Sequence, residues 1–193
     1  VYEPPLKYHY LKRPYELESR TLAAMPSVKF VNKEGKELPP ETPADQIAES
    51  VFELKIQPGI LYQPHPAFAK TPDGQHRYLN LKESDLEDKR RPYDFEHMGT
   101  RELLAEDYAY AIKRLATPRV KSPSFGFLSE KIVGLTDYGK QIKTFNEKLK
   151  EGKSAREVGP FGHLPWLDFR EHALSGVEVL DSHTLKIRVV GKY

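Results

Sequence analysis

His65, Asp73 and His76 come nearest to a chemical site in this chain. Two imidazoles and a carboxylate close together in one loop are the ligand types that hold zinc, and a zinc-bound water would make the protein a metal-dependent hydrolase. The spacing does not enforce that reading. There is no H-E-x-x-H, and no histidine pair at helical spacing has a carboxylate beside it, so ordinary loop polarity accounts for the same residues. A second group is Lys89-Arg90-Arg91 with Tyr93 and Phe95. Cations interleaved with aromatics suit RNA or an acidic protein partner. Asp85, Glu87, Asp88, Asp94 and Glu96 surround them and largely cancel their field, which favours a solvated loop. Glu106-Asp107 resembles an acid/base pair, but neighbours on a helix point about 100° apart. Early in a helix, complementing its dipole is the better role for both. The chain contains no cysteine, which excludes disulfides, thiolate catalysis and Cys-ligated zinc. It contains no nucleophile elbow G-x-S-x-G, no P-loop and no G-x-G-x-x-G. The residues by themselves therefore call for no catalytic site and no cofactor.

Any such side chain needs a scaffold, and composition bounds what that scaffold is. The 193 residues are 38% hydrophobic and 30% charged, enough for one domain with a proper core. Thirty basic and 28 acidic residues leave a net charge of +2, a balance that asks for neither nucleic acid nor an anionic membrane. Sixteen prolines and a mean hydropathy of -0.64 point to long polar connections rather than a helical bundle. No apolar run approaches the ~20 residues of a membrane span. No signal peptide is visible, and the chain opens at Val1 rather than Met. It is expected to be a processed or excised piece.

The clearest element is an amphipathic helix that Pro118 stops, beginning at Thr100 or at Ala105. Leu104, Tyr108, Ile112 and Leu115, with Ala111 beside them, recur at steps of three and four and predict its buried face. Upstream, residues 1–26 read as short extended pieces, with a turn of helix at 21–24. Residues 28–31 suit a strand. Phe52, Leu54 and Ile56 alternate with Glu53 and Lys55 and predict a half-buried strand, closed by Pro58-Gly59. Residues 60–62 and 78–81 suit further short strands, and 66–99 form a charged loop insertion. Downstream, 127–133 suit a short helix or strand closed by Gly134. Tyr138, Ile142, Phe145 and Leu149 predict a second helix capped by Gly152. Residues 153–165 look like loop. Gly176-Val177-Glu178-Val179-Leu180 and His183-Thr184-Leu185-Lys186-Ile187-Arg188-Val189-Val190 predict a hairpin turning at Asp181-Ser182. The expected fold is α+β: a small, mostly antiparallel sheet with helices packed on it. Its core would draw on Phe52, Leu54, Ile56, Tyr108, Ile112, Leu115, Val177, Val179, Leu185, Ile187 and Val189.

Four segments in order carry a resemblance. They are Phe52-Glu53-Leu54-Lys55-Ile56-Gln57-Pro58-Gly59-Ile60, then Ala105-Glu106-Asp107-Tyr108-Ala109-Tyr110-Ala111-Ile112-Lys113-Arg114, then Ile132-Val133-Gly134-Leu135, then the 176–187 hairpin. This order resembles the extracellular (periplasmic) solute-binding proteins of ABC importers for oligopeptides and dipeptides. There, "F-x-L-R-x-G-V-x-F" leads to "T-A-E-D-V-x-x-S-x-x-R", "I-x-G" and "G-V-x-x-x-D-x-x-T-V-x-I". Val1-Tyr2-Glu3-Pro4 and Leu22-Ala23 resemble that family's "Y-E-x-L" opening and the "L-A" that follows. Leu104 replaces the usual capping threonine, Pro5 a common leucine, and 68–101 is longer and more charged than the usual turn. These departures mark a divergent branch. The resemblance implies a subdomain of the first lobe of a two-lobed, periplasmic-binding-protein type II-like architecture, with no enzyme activity. It implies a peptide or small solute held by the full-length protein, ABC permease subunits as partners, and a periplasmic or extracellular location. It fixes no ligand residue here; Tyr62 and His65 are the candidates for a cleft wall.

Overall fold

The alternation of Phe52 and Leu54 with polar residues becomes a strand, Glu49–Lys55, of the computed structural model, with Ile56 just beyond it; the structure describes residues 3–79, 81–154, 158 and 167–193. The chain divides into two units, Val1–Ile56 with Leu104–Tyr193, and Gln57–Leu103. The 66–99 excursion falls inside the second.

In the first unit, β1 (Leu6–Tyr8) and β2 (Leu17–Ser19) pair antiparallel as a two-stranded sheet. The main sheet contains β3 (Ser27–Val31), β4 (Glu37–Leu38), β5 (Glu49–Lys55), β6 (Val177–Val179) and β7 (Thr184–Val190). Their order is β4-β3-β5-β7-β6, every pair antiparallel. The expected hairpin is thus β6–β7, and β5 pairs with β7 through Phe52 opposite Ile187 and Leu54 opposite Leu185. Asp181 closes the turn by accepting the His183 N–H at 2.8 Å, as short polar side chains do in turns. Across β5 and β7 the Arg188 guanidinium forks the Glu49 carboxylate at 2.7 and 2.8 Å, a planar fit that lysine cannot make.

Helices α1 (Ala105–Arg114), α2 (Phe125–Lys131) and α3 (Leu135–Lys148) complete the unit. α1 lies against β6 and β7, and α2 against α3 and β7. Its fold is therefore α+β. α1 starts at the later of the two expected positions. Asp107 accepts the Leu104 N–H at 2.9 Å, while leucine has no oxygen to return the bond. At the other end, bonds from Leu115, Ala116 and Thr117 to the carbonyls three residues back tighten the last turn before Pro118.

The buried face of α1 differs from the expectation by one position. Ala105, Ala109, Lys113 and Ala116 are buried, Tyr108, Ile112 and Leu115 half-buried, and Ala111 exposed. Small side chains let the helix backbone approach the sheet, and the larger ones spread over the flanks of the contact. The stripe of α3 is corrected likewise. Leu135, Tyr138 and Ile142 are buried, but Phe145 is 36% exposed, and the next inward position is Asn146 at 1%. The Arg119 Nε–H donates to the Asn146 carbonyl oxygen at 2.6 Å, so the buried amide is satisfied. Gly152 lies four residues beyond the helix and does not cap it. Gly134 instead begins α3 with φ +74°, where a Cβ would overlap the Ser175 hydroxyl. Only glycine takes that backbone at no steric cost.

Other expectations change too. Residues 21–24 are not helical; Leu22 bridges Ile56, and both are buried. Residues 60–62 supply one bridge, Leu61 to Glu102, rather than a strand, and the described residues of 78–81 form a turn and coil. Val1, Tyr2, Asn80, Gly159, Pro160 and Pro165 lie outside the described residues. Of the expected core, Leu54, Ile56, Val177 and Leu185 are buried. Phe52, Val179, Ile187 and Val189 are half-buried. Leu22, Ile47, Ile132, Leu135, Tyr138, Ile142 and Leu174 complete the core.

Two backbone bonds fix the ends of the excursion within this unit. Ile56 N–H donates to the His183 carbonyl at 2.7 Å, and Ala105 N–H to the Ser182 carbonyl at 2.8 Å. The N-terminal segment is tied down by Tyr108. Its hydroxyl donates to the Glu3 carbonyl at 3.0 Å and shares a 2.6 Å bond with fully buried Thr21. Burial pushes the Tyr108 phenol above its ordinary value, so it stays a neutral donor. Tyr108→Phe is expected to cost about 1–2 kcal/mol in a denaturant titration, because it removes the bond to the Glu3 carbonyl and leaves the buried Thr21 hydroxyl only its long 3.5 Å bond to the Pro4 carbonyl. A cost near zero would show that this tie contributes nothing.

Candidate functional site

Gln57–Leu103 opens with the predicted Pro58-Gly59 turn, where Gly59 donates to a Glu102 carboxylate oxygen at 2.6 Å. Antiparallel backbone bonds lace its two ends together: Leu103 to Ile60 at 2.8 Å, Tyr62 to Arg101 at 2.9 Å and His65 to Gly99 at 2.8 Å. Between them, 69–77 form a small hairpin. Thr71 exchanges bonds with Gln75, Arg77 donates to Ala69, and Gly74 turns the chain at φ +83°.

The three candidate metal ligands take separate roles in this frame. His65 caps a 3-10 turn, its Nδ1 accepting the Ala67 N–H at 3.1 Å. Asp73 sits in the hairpin turn, its carboxyl held below the usual range by the Thr71 hydroxyl. His76 pairs with Lys70 across the hairpin. Among the described residues no three His, Asp or Glu side chains gather as ligands for a metal. The loop hydrolase reading therefore finds no metal centre there. Glu106-Asp107 does not form an acid/base pair either. Asp107 caps α1, and Glu106 holds one buried oxygen with no hydrogen-bond partner.

The two cleft-wall candidates part company. Tyr62 is engaged in packing: its ring lies 5.4 Å from that of Phe68, and the Arg101 guanidinium stacks 4.7 Å from it. His65 lines a recess of about 360 Å³. Tyr78, Leu81 and Phe95 are among its apolar lining, and Lys89, Arg90 and Arg91 border it as a cationic rim. Tyr78 and Phe95 meet edge to face at 4.9 Å, and the Tyr78 hydroxyl accepts the His97 N–H at 3.2 Å, so the wall is built rather than incidental. An adjoining recess of about 400 Å³ shares Tyr78, Leu81, Lys89 and Phe95 but is bordered by Asp85, Asp94 and Glu96.

The structure thus unites His65 with the Lys89-Arg90-Arg91 run, two groups that the sequence presented as rivals. It also adds Tyr78 and Leu81, which sequence reasoning placed in a strand. The local signal for them was slight, since Tyr78 finds its partner, Phe95, seventeen residues away.

Asp94 sets the rim. Its carboxylate accepts the N–H groups of Arg90 and Arg91 at 2.8 and 2.9 Å, and these bonds hold its carboxyl below the usual range. A depressed folded value means that this turn is secured above the unfolded value of about 3.9. The hold is lost as pH falls through the lower, folded value. Hydrogen exchange is expected to find the Arg90 and Arg91 amides protected near neutrality and open in acid. Protection that persists under strong acid would exclude Asp94 as the clamp.

Among the described residues no helix is long and apolar enough to cross a membrane. No protein-family model, curated protein or solved structure matches the chain.

Proposed function

We propose that this chain is a non-catalytic subdomain of the substrate-binding component of an ABC transporter that imports oligopeptides, dipeptides or a related small solute. The observation that carries the reading is where the four resembling segments fall. The first supplies residues 52–55 of β5 and runs on into the turn beyond it, the second supplies α1, the third the corner between α2 and α3, and the fourth β6 with residues 184–187 of β7. These belong to one antiparallel sheet and the helices packed around it. Segments recognised one by one in the sequence therefore serve a common scaffold.

On this reading the full-length protein is two-lobed, works in the periplasm or outside the cell, and delivers its solute to permease subunits in the membrane. The present chain contributes bulk and a wall of the first lobe, while peptide is buried where the lobes close. One wall leaves most of a peptide in water. Its contacts then fall short of the roughly 4–15 kcal/mol of lost translational and rotational freedom.

Titration calorimetry with a mixed di- to pentapeptide pool tests this. Binding with micromolar affinity is expected from the full-length protein and none of that strength from the 193-residue chain. Micromolar binding by the chain alone would overturn the proposal.

A further inference from the structure

We propose that the recess walled by His65, Tyr78 and Phe95 and rimmed by Lys89, Arg90 and Arg91 binds a small solute carrying an oxyanion, a carboxylate or a phosphate monoester, on an aromatic body. The charges come first. Among the described residues neither Lys89 nor Arg90 has an ion-pair partner, and Arg91 reaches Asp94 only at 4.0 Å. Asp94 accepts the Arg90 and Arg91 backbone N–H groups and so positions the turn, and its single charge offsets only part of the field of the three cations. A guanidinium presents a planar fork that matches an oxyanion with two parallel bonds. His65 adds a donor: with Nδ1 accepting from Ala67, Nε2 is the nitrogen left to donate.

The body of the ligand follows from the wall. The edge-to-face pair of Tyr78 and Phe95 offers aromatic surface beside the rim, and a ring is the partner that such surface takes best. A volume of about 360 Å³ lies at the lower end of small-molecule sites, roughly 300–1,000 Å³. The carboxylates of Asp85, Asp94 and Glu96 border the adjoining recess. They would repel a chain of further phosphates, so a solute with a single oxyanion group suits the site and a nucleic-acid strand does not. The residues that line the site all lie between positions 65 and 95, and the proposal does not depend on the transport reading.

The test is an NMR titration of the isotope-labelled 193-residue chain with three probes. These are N-acetyl-L-phenylalanine, phenyl phosphate, and the neutral N-acetyl-L-phenylalaninamide. Saturable shifts at 65–67 and 89–95 are expected with one or both anions, at a Kd on the order of 1 mM. The tighter anion identifies the oxyanion. The amide should bind at least about fivefold more weakly, and affinity for the anions should fall as salt is added. The double variant Arg90→Gln/Arg91→Gln should lose the anion preference and keep the spectrum of the folded chain. Lys89→Gln is the second variant if the arginine pair disturbs the turn. Equal binding of amide and anions, shifts absent from this recess, or an oligonucleotide binding more tightly than phenyl phosphate would each overturn the proposal. None of these results bears on micromolar peptide binding, the outcome that decides the transport reading.

Discussion

Leu185→Ala and Ile142→Ala are each expected to lower the free energy of unfolding by about 2–5 kcal/mol. Leu185 is 1% exposed near the start of β7, and Ile142 is 0% exposed on the inner stripe of α3. Each truncation removes methyl groups from close-packed surroundings and leaves a void that the neighbours fill only in part. Ile187 and Ile112 look equally apolar in the sequence pattern, yet both are half-buried. Their alanine variants should cost less, about 1–2 kcal/mol, since part of each side chain already meets water. Urea titrations of the four variants give the ordering. Equal losses at all four sites, or less than about 0.5 kcal/mol at Ile142, would mean that the inner face of α3 is wrongly assigned.

Gly99→Ala is expected to destabilise Gln57–Leu103 by about 3 kcal/mol or more, the upper reach of overpacking effects. Gly99 and His65 exchange backbone bonds at 2.8 and 3.2 Å. A Cβ at Gly99 would overlap the Phe68 carbonyl and lie 2.8 Å from the Ala69 nitrogen. The obstructing atoms are main chain, so no rotamer change relieves them, and either the lacing opens or the 3-10 turn beside it moves. Hydrogen exchange should show faster loss of the Tyr62, His65 and Leu103 amides, while the β7 amides keep their protection. Gly126→Ala is the matched control: its Cβ would meet nothing within 4 Å. Inside a helix, replacing glycine there should stabilise by about 0.5–1 kcal/mol. Wild-type stability for Gly99→Ala would refute the close approach on which the His65 corner depends.

The sequence was most legible where one physical rule acts alone. Alternation in 52–56 and 184–190 places β5 and β7 and their inward residues, because a strand buried on one face must repeat with period two. Pro118 bounds the end of α1, whereas the sequence leaves its start open between Thr100 and Ala105 and the structure puts it at Ala105. Its buried face was misjudged by one position because hydrophobicity rewards the larger residues. Close approach to the sheet rewards the smallest, and Ala105 and Ala109 won the inner line. Phe145 was misjudged for a related reason: Asn146 is polar by composition but satisfied by Arg119, a residue 27 positions away that no local pattern reveals. The recess was half legible. Its cations and Phe95 stand together in the sequence, and their acidic neighbours suggested a field that cancels. The fold commits one of those acids, Asp94, to backbone N–H groups and places Asp85 and Glu96 with it at the adjoining recess. Tyr78 and His65 come from outside the run, which only tertiary structure can add.

The bonds from Ile56 to His183 and from Ala105 to Ser182 have an evolutionary consequence. They bring the departure and the return of a 47-residue excursion, Gln57–Leu103, to adjacent residues of one hairpin turn. Once two ends are pinned so near each other, the entropy of closing the segment between them grows only with the logarithm of its length. Doubling it costs about 0.6 kcal/mol. Natural selection can therefore lengthen, trim or wholly replace that segment while the β5–β7 ladder goes on folding as before. The junction is built so that a segment of another length could leave and return there without renegotiating the scaffold.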